Sequence, residues 1–448
     1  MTPTSAIPIA AIATPLGSGG ICVVRISGEG VFEIADKLVS SVKPPFRQHK
    51  GGTFVYTDFY HPQTREKIDD GLVLIFHAPH SFTGENVIEL HGHGGALPAR
   101  RLLNAVLAGG ARLAEAGEFS KRAFLNGRMD LTQAEAICDF IQAKTDRIAH
   151  IARAQLDGAL GSRLHQLYEA MTAHCADIEH QLDFDEGELP KSFVNNTAKT
   201  IQETQTQIQR MIKSWDKNGC ILRDGALVVI SGKPNVGKSS LLNTLLGRNR
   251  AIVHDTPGTT RDVIEEGYSL EGIPLRLVDT AGLRDTADAV EQEGISRTRH
   301  LMQQADINLY LIDSTTSDIP PPNLDSARTI VVFTKNDLVM PPETDNAVAV
   351  SSKTGDGLDK LGQMILNKLG IELEQEGESI INARHATELH AAHDAAAQAL
   401  TALEATPCDL VIAANHLREA AEALGRIVGR CYADDLLDVV FSRFCVGK

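Results

Sequence analysis

The sequence predicts a multidomain α/β protein: an N-terminal α+β domain, then a helical domain whose two chain segments flank an inserted strand–helix domain. Three observations predict this fold class. Residues 1–120 mix short apolar strands with helical stretches. Apolar residues recur at helical steps from Asp130 to about Leu182, and again from about Asn382. Between these tracts, residues 219–372 alternate strands and helices. Since the last helices have no sheet of their own, we expect them to pack on the first helical segment.

Composition narrows the class of protein. The 448-residue chain is 43% hydrophobic and can bury two or three cores. Its net charge of -15 argues against broad electrostatic wrapping of nucleic acid. A locally basic stretch from Arg100 to Arg128 suits an anionic ligand and a solvated face equally well. We find no run of membrane-spanning length, no secretory signal and no cysteine pair with metal-type spacing, and we expect a cytoplasmic protein without a membrane partner.

The first domain is predicted to contain strands at 21–26, 52–56 and 72–76 and helices at 31–38 and about 97–107. His91 and His93 suggest a metal site, but a polar strand end is the favoured interpretation because no third ligand is evident nearby. Further along, Pro190, Asn218-Gly219 and Pro407 interrupt helical patterns, and Asp409 is expected to be the N-cap where the last tract resumes. We place the domain segments at 1–120, 121–218, 219–372 and 373–448.

Residues 232–239 match the pattern G-x-x-x-x-G-K-S, between an apolar strand at 226–230 and a helical stretch from Ser240. In this context the loop's N–H groups converge on one concavity at a helix N-terminus, which binds phosphate. Lys238 is expected to reach the β- and γ-phosphates and Ser239 to hold Mg²⁺.

Three further motifs follow in the order that a GTPase needs. Residues 255–262 supply Thr260 for Mg²⁺ and the γ-phosphate, and residues 279–282 supply Asp279 for the metal shell. Residues 334–337 follow a strand, and Asp337 can accept two donors from guanine, whereas adenine offers no such pair. The candidate GTP contacts are Asn235, Val236, Gly237, Lys238, Ser239, Ser240, His254, Asp255, Thr256, Pro257, Gly258, Thr259, Thr260, Asp279, Thr280, Ala281, Gly282, Thr334, Lys335, Asn336, Asp337, Ser351, Ser352 and Lys353.

Two positions carry further chemical information. Leu283 stands where many GTPases place a glutamine that orients water, so either hydrolysis is slow or another group does this work. The charged candidates nearby are Arg284, Asp285, Asp288, Glu291 and Glu293. The terminal Cys445, beside a lysine, is either a reactive thiol or an ordinary tail residue.

These motifs make the chain resemble, over its full length, the tRNA-modification GTPase family called MnmE or TrmE. The resemblance rests on residues 81–85, 89–95, 117–126 and 130–136, the nucleotide motifs and the terminal residues 445–448. The terminal motif discriminates best, because other P-loop GTPases lack it. Two positions depart from the family pattern: Thr334 replaces the more usual asparagine, and His254 replaces a threonine.

The resemblance implies that the N-terminal domain binds folate and dimerises and that a Ras-like GTPase domain is inserted in the helical domain. It implies that Arg25, Glu89, Arg128 and Lys448 contact the folate, which suits its carboxylates and pterin N–H groups. The implied K⁺ ligands are Asn235, His254, Thr256 and Thr259, in a site completed when two GTPase domains meet. The implied catalytic residues are Glu291, which orients water, and Cys445, a candidate nucleophile.

The implied reaction places an aminomethyl or carboxymethylaminomethyl group on carbon 5 of the wobble uridine of certain tRNAs. A flavin-dependent partner of the MnmG or GidA family takes part, and a 5,10-methylene- or 5-formyl-tetrahydrofolate is the cofactor. The protein would be a homodimer with K⁺-stimulated GTP hydrolysis. Two alternatives remain open at this point: a ribosome-assembly or RNA-binding GTPase, and a purely regulatory G protein, neither of which needs the folate residues or Cys445.

Overall fold

The structure, a computed structural model, describes residues 7–15, 17–40, 42–184, 191–215, 219–248, 265–279, 300–316, 318–321, 324–341, 347–371, 382–442, 444 and 446–447. The chain forms two compact units, one made of Met1–Cys138 with Val428–Lys448 and the other of Asp139–Ile427. Within the described ranges, every helix is too short or too polar to span a membrane.

The strands in chain order are β1 (Ile9–Ile12), β2 (Ile21–Ser27), β3 (Thr53–Tyr60), β4 (Lys67–Phe76), β5 (Val87–His93), β6 (Arg112–Leu113), β7 (Ala226–Gly232), β8 (Glu265–Leu270), β9 (Ile273–Asp279), β10 (Ile307–Asp313), β11 (Thr329–Thr334) and β12 (Ala347–Ala349). The main helices are α1 (Val31–Leu38), α2 (Ala96–Gly109), α3 (Glu118–Leu125), α4 (Leu131–Gln142), α5 (Asp146–Leu156), α6 (Ala159–Phe184), α7 (Lys191–Ser214), α8 (Cys220–Asp224), α9 (Lys238–Arg248), α10 (Leu358–Leu369), α11 (Ala383–Glu404), α12 (Leu410–Val428) and α13 (Asp434–Phe441).

The first unit is built on a six-stranded sheet in the order β3-β4-β5-β2-β1-β6. Helices α1 and α2 cover one face, and their apolar residues join the buried core around Val24, Leu90 and Leu102. Strand β2 pairs antiparallel with both β1 and β5, which sets Arg25 opposite Ala11 on one side and opposite Glu89 on the other. The central strands therefore bring together residues that lie far apart in the sequence.

The end of the chain returns to this same unit. Helix α13 packs against α3 through a cluster that includes Phe124, Leu437 and Phe441. Beyond it, Val446 forms an isolated antiparallel bridge with Ala116. The structure thus fixes the residues on either side of Cys445 against the N-terminal domain.

The second unit contains a sheet in the order β12-β11-β10-β7-β9-β8, parallel except for the β8–β9 hairpin. Six of the seven residues of β7 are buried, as expected for a strand at the centre of a parallel sheet. Because parallel strands end at one edge, β7, β9, β10 and β11 present their last residues together. The phosphate loop, Asp279, Asp313 and Thr334 lie at this edge.

The helical part of the second unit confirms the expected packing of the C-terminal helices on the earlier ones. Helix α7 packs against α11, and the Gln205 amide donates to the His393 carbonyl at 3.4 Å. The Cys175 thiol on α6 donates to the Ala414 carbonyl of α12 at 3.5 Å. Asp409 caps α12, as expected, by accepting from the Ile412 N–H at 3.0 Å.

The expectation of one continuous helical tract from Asp130 to Leu182 was wrong. The structure divides this tract into α4, α5 and α6. Thr145 is extended and its hydroxyl caps α5 by accepting from the Ile148 N–H, and Gly158, with a positive φ, separates α5 from α6. Ile151 and Ala152 of α5 then join the core of the parallel sheet instead of a helix bundle. The apolar residues keep a helical period across these breaks, because a helix buries one apolar face whether it packs on a sheet or on other helices.

Candidate functional site

The phosphate loop joins β7 to α9 in the strand–loop–helix context that the sequence predicted. Lys238 is 7% exposed, and its ammonium donates to the carbonyls of Gly232 at 3.1 Å and Lys233 at 2.8 Å. The charge is therefore held inside the curve of the loop, at the N-terminus of α9. A buried ammonium at a helix N-terminus provides an anion site of the size of a phosphate group.

The metal-binding edge of the loop is formed by Ser239 and Asp279. The Ser239 hydroxyl donates to Asp279 Oδ2 at 2.7 Å, which brings the first turn of α9 to the end of β9. A hydroxyl and a carboxylate oxygen at this separation are hard ligands of the kind that Mg²⁺ prefers alongside phosphate. These two residues therefore fit the ion that the sequence motifs imply. Thr260, the other predicted Mg²⁺ ligand, lies outside the described residues.

The base-reading end of the site is organised around Asp337. The buried Ser351 hydroxyl donates to Asp337 Oδ1 at 2.8 Å and also accepts from the N–H groups of Lys353 and Thr354, each at 3.2 Å. The Asn336 N–H donates to the Val350 carbonyl at 3.3 Å. These bonds fix the orientation of the Asp337 carboxylate. Residues predicted to form one pocket, although far apart in sequence, do lie together.

Lys335 is positioned by a residue that the sequence reasoning missed. Its ammonium lies 2.5 Å from Asp313 Oδ2, and Asp313 also accepts from the N–H and hydroxyl of Thr315. Burial by itself would raise the pKa of Asp313, but the bonds from Lys335 and Thr315 lower that pKa below its ordinary value. Asp313 ends β10, and its place at a strand end on the nucleotide edge is the signal that could have revealed it.

The last residue of β11, Thr334, contacts the phosphate loop. It is buried, and its hydroxyl donates to the Val236 carbonyl at 2.6 Å while lying 3.2 Å from the Ile312 carbonyl. The hydroxyl thus links the end of β11 to the phosphate loop. Of the remaining contacts, Ser240 lies in the first turn of α9, and the Ser352 carbonyl accepts from the Thr244 hydroxyl at 3.1 Å.

Several predicted residues lie outside the described part of the chain, so the structure says nothing about their positions. They are His254, Asp255, Thr256, Pro257, Gly258, Thr259, Thr260, Thr280, Ala281, Gly282, Leu283, Glu291, Cys445 and Lys448.

A second candidate site lies on the central strands of the first unit. The Arg25 Nε and Glu89 Oε1 atoms are 2.8 Å apart, and both side chains are largely buried. The guanidinium carbon of Arg25 lies 5.4 Å from the centre of the Phe82 ring and 5.8 Å from that of Phe119. An arginine between two rings, with a carboxylate beside it, is equipped to bind a flat ligand that carries both N–H groups and carboxylates.

Arg128 and the end of the chain border this site. The Arg128 Cγ lies 3.1 Å from the position that a Cβ on Gly84 would occupy, so this side chain covers the turn that carries Phe82. On the other side, Gly447 approaches the carbonyl of Ile12 in β1, the strand next to the one that holds Arg25. Arg25 and Arg128 thus both lie close to the turn that carries Phe82, while Glu89 pairs with Arg25.

His91 and His93 do not act as a pair. His91 Nε2 lies 3.3 Å from Glu89 Oε2, whereas His93 Nδ1 lies 2.6 Å from Asp69 Oδ1. Asp69, Asp70 and His93 bring their ligand atoms within 4.8 Å of one another, a grouping that the sequence could not show across 24 residues. The Asp69–His93 bond accounts for this cluster as an ion pair.

Comparison with known proteins agrees with this geometry. The family described as the MnmE helical domain matches residues 131–445, and the family described as the GTP-binding protein TrmE N-terminus matches residues 8–128. The chain is 42% identical to the tRNA modification GTPase MnmE of Geobacter metallireducens over 98% of this chain and 99% of that protein. Proteins of the same name from Coxiella burnetii and Aquifex aeolicus are 42% and 39% identical, each over 98% of this chain and 98% and 99% of the relative.

Proposed function

The chain belongs to the MnmE family of tRNA modification GTPases, and we propose that it is a GTP hydrolase whose two sites serve tRNA modification. The observation that carries this proposal is the convergence of Lys238, Ser239 with Asp279, and Asp337 on one edge of the parallel sheet. We assign residues 219–372 to the GTPase domain, 1–120 to the folate domain, and 121–218 with 373–448 to the helical domain.

In the GTPase site, Lys238 and the loop N–H groups bind the β- and γ-phosphates. Ser239 and Thr260 would hold Mg²⁺ with the help of Asp279, and the bound ion would supply stabilisation of negative charge on the phosphates. Asp337 accepts two hydrogen bonds from guanine, and Lys335, held by Asp313, covers the base. These roles follow from the charges and hydrogen-bonding capacities of the side chains.

From the family resemblance we propose that water activation uses K⁺ and Glu291, since Leu283 itself cannot hydrogen-bond the attacking water. Asn235 has a left-handed backbone, with φ 61, which turns the loop at the proposed ion ligand. His254, Thr256 and Thr259 complete the ligand set. Hydrolysis is expected to be faster in KCl than in NaCl at equal ionic strength, and equal rates would reject the K⁺ assignment. Glu291→Ala should retain GTP binding and lose hydrolysis.

In the first unit, Arg25, Glu89, Arg128 and Lys448 bind the tetrahydrofolate derivative. The buried Arg25–Glu89 pair supports this, because a guanidinium suits the glutamate carboxylates of folate and a carboxylate suits the pterin N–H groups. The cofactor supplies a one-carbon unit, as 5,10-methylene- or 5-formyl-tetrahydrofolate. Cys445 is the candidate nucleophile beside it, in a segment that the Ala116–Val446 bridge holds against the domain.

The proposed product is tRNA with an aminomethyl or carboxymethylaminomethyl group on carbon 5 of the wobble uridine. We propose that the protein acts in the cytoplasm as a homodimer together with a flavin-dependent protein of the MnmG or GidA family. GTP turnover would remodel this complex rather than supply atoms to the product.

Nucleoside analysis of tRNA tests this function. Cells that lack the protein are expected to lose the modified uridine and to recover it with the wild-type gene. A Ser239→Ala variant should bind GTP weakly and fail to restore the nucleoside. Full modification in the deletion strain would refute the proposal and favour a regulatory GTPase, as would failure of the purified protein to bind a reduced folate.

A further inference from the structure

A buried chain of charged side chains lies behind the Arg25 site. Arg122, on α3, places Nη1 at 3.2 and 3.1 Å from the two oxygens of Glu85 and Nη2 at 3.0 Å from Glu118 Oε1. Arg112 extends the chain with a bidentate contact to Glu118, in which Nη1 and Oε2 are 2.8 Å apart. Arg122 and Glu118 are 8% and 9% exposed. Two guanidinium groups and two carboxylates therefore balance one another, with Arg122 and Glu118 buried and Arg112 and Glu85 partly exposed.

The first end of this chain controls the turn that carries Phe82. Glu85 Oε2 accepts from the Ser27 hydroxyl at 2.7 Å, and that hydroxyl also lies 2.7 Å from the Thr83 hydroxyl. Ser27 follows Arg25 by two residues on β2 and so lies on the same face of the sheet. The Glu85 carboxylate is consequently clamped between β2 and Arg122, with Phe82 three residues away in the same turn.

The other ring, Phe119, lies on the helix that carries Arg122 and Glu118. The buried Phe119 ring packs with Phe82 against the same small cluster. Arg25 thus has one aromatic neighbour from the turn and one from the helix. The Arg122–Glu85 ion pair is a direct bond between that turn and that helix.

We propose that Arg122, acting through Glu85, is a positioning residue that sets the spacing of Phe82 and Phe119 around Arg25. This inference rests on the proposed folate function of Arg25. Arg122 does not touch the ligand. A guanidinium is needed here because two separate carboxylates must be bonded at once in fixed directions, which an ammonium on a flexible stem does poorly. Loss of this bond removes one constraint on the ring spacing and should therefore disturb the ligand geometry.

Isothermal titration of the full-length protein with 5-formyl-tetrahydrofolate tests the proposal. Glu85→Gln keeps an acceptor for Ser27 and removes the ion pair, and Arg122→Lys keeps the charge. Arg101→Gln is the matched control, since it breaks the exposed Arg101–Glu66 pair of the same domain. We expect Kd to rise about tenfold or more for Glu85→Gln and less for Arg122→Lys, with the wild-type stoichiometry, and no change for the control.

Stoichiometry separates positioning from folding. A merely structural role would lower the fraction of binding-competent protein and leave Kd unchanged, and that result would overturn the proposal, as would wild-type Kd in both variants. GTP affinity, measured on the same samples, should stay at the wild-type value. If the wild type itself binds no reduced folate while binding GTP normally, the folate function fails, and this role falls with it.

Discussion

The Thr334 hydroxyl and the Val236 carbonyl are 2.6 Å apart, and this hydrogen bond joins the end of β11 to the phosphate loop. Both residues are buried, so water cannot replace the bond if it is lost. The bond connects the part of the site that reads the base to the part that holds the phosphates. It explains how threonine serves at a position where asparagine is more usual.

Replacing Thr334 by valine, which has nearly the same shape, should therefore weaken nucleotide binding. The Val236 carbonyl would be left without this donor at a cost of about 1–3 kcal/mol, or roughly 5- to 150-fold in Kd for GDP. Titration with a fluorescent GDP analogue at fixed Mg²⁺ measures the change. Thr334→Ser keeps the hydroxyl and should bind like the wild type. Equal affinity of the valine and serine variants would contradict the role of this bond.

Asp313→Asn should loosen Lys335 and weaken GDP binding severalfold. Because bonds from Lys335 and Thr315 lower the pKa of Asp313, its contribution is present above the ordinary aspartate range and is lost only as pH falls through the lowered pKa. The ratio of wild-type to variant affinity should consequently be constant from about pH 6 to pH 8. Asp325→Asn, with the same change in charge on an exposed turn, is the control. A ratio that changes over this interval would show that Asp313 is not the charged partner.

How far the sequence predicted the site depended on whether the residues were adjacent in the chain. The phosphate loop was predictable because strand, turn and helix follow one another directly and its motif describes a single local geometry. Asp313 was missed because it has no local motif: only the order of the parallel strands brings it to Lys335. The Arg122–Glu85 pair was missed for the same reason, since 37 residues separate its members.

The fold shows the same limit. Helix and strand positions followed from apolar periodicity, and the cap at Asp409 followed from residue type. Strand β1 was not predicted, because its four residues, Ile9–Ile12, are too few to show a period. The division into α4, α5 and α6 was also missed. It depends on the packing of α5 on the parallel sheet, a tertiary contact that the local sequence does not show.

The pair of His93 and Asp69 predicts a pH effect that can be observed directly. The hydrogen bond that His93 donates to Asp69 raises the pKa of His93, and Asp70 adds a smaller electrostatic contribution. A raised folded-state pKa means that the ion pair is complete below about pH 6.5 and is lost as pH rises through the raised value. In spectra of ¹³C-histidine-labelled protein, with His93→Gln for assignment, the His93 midpoint should lie above about 6.5.

Asp69→Asn should lower this midpoint, because it removes the main cause of the raised pKa of His93, and Asp70→Asn should lower it less. An unchanged midpoint in the Asp69 variant would disprove the pair. Because His93 is exposed, we expect little change in the stability of the domain.

Gly447 lies where the terminal segment runs close to β1. Its φ is +104, and a Cβ there would lie 2.5 Å from the Ile12 carbonyl oxygen. Any other residue must therefore move the segment away from β1 as well as adopt an unfavourable backbone conformation. Gly447→Ala should break the Ala116–Val446 bridge and so disturb the folate contact that we propose for Lys448. We expect weaker binding of reduced folate, by about tenfold, and unchanged GTP binding.

Gly127→Ala provides the control for backbone strain alone. Gly127 has φ +69 in the same unit, and a Cβ added there would meet no atom within 4 Å among the described residues beyond its chain neighbours. The variant should leave folate affinity near the wild-type value. Deletion of the last two residues tests whether Lys448 itself contacts the folate. If it does, the deletion and Gly447→Ala should weaken folate binding to a similar extent. Wild-type folate affinity in both variants would show that the chain terminus is not part of the folate site. The close approach of Gly447 to Ile12 would then serve only to hold the terminal segment in place.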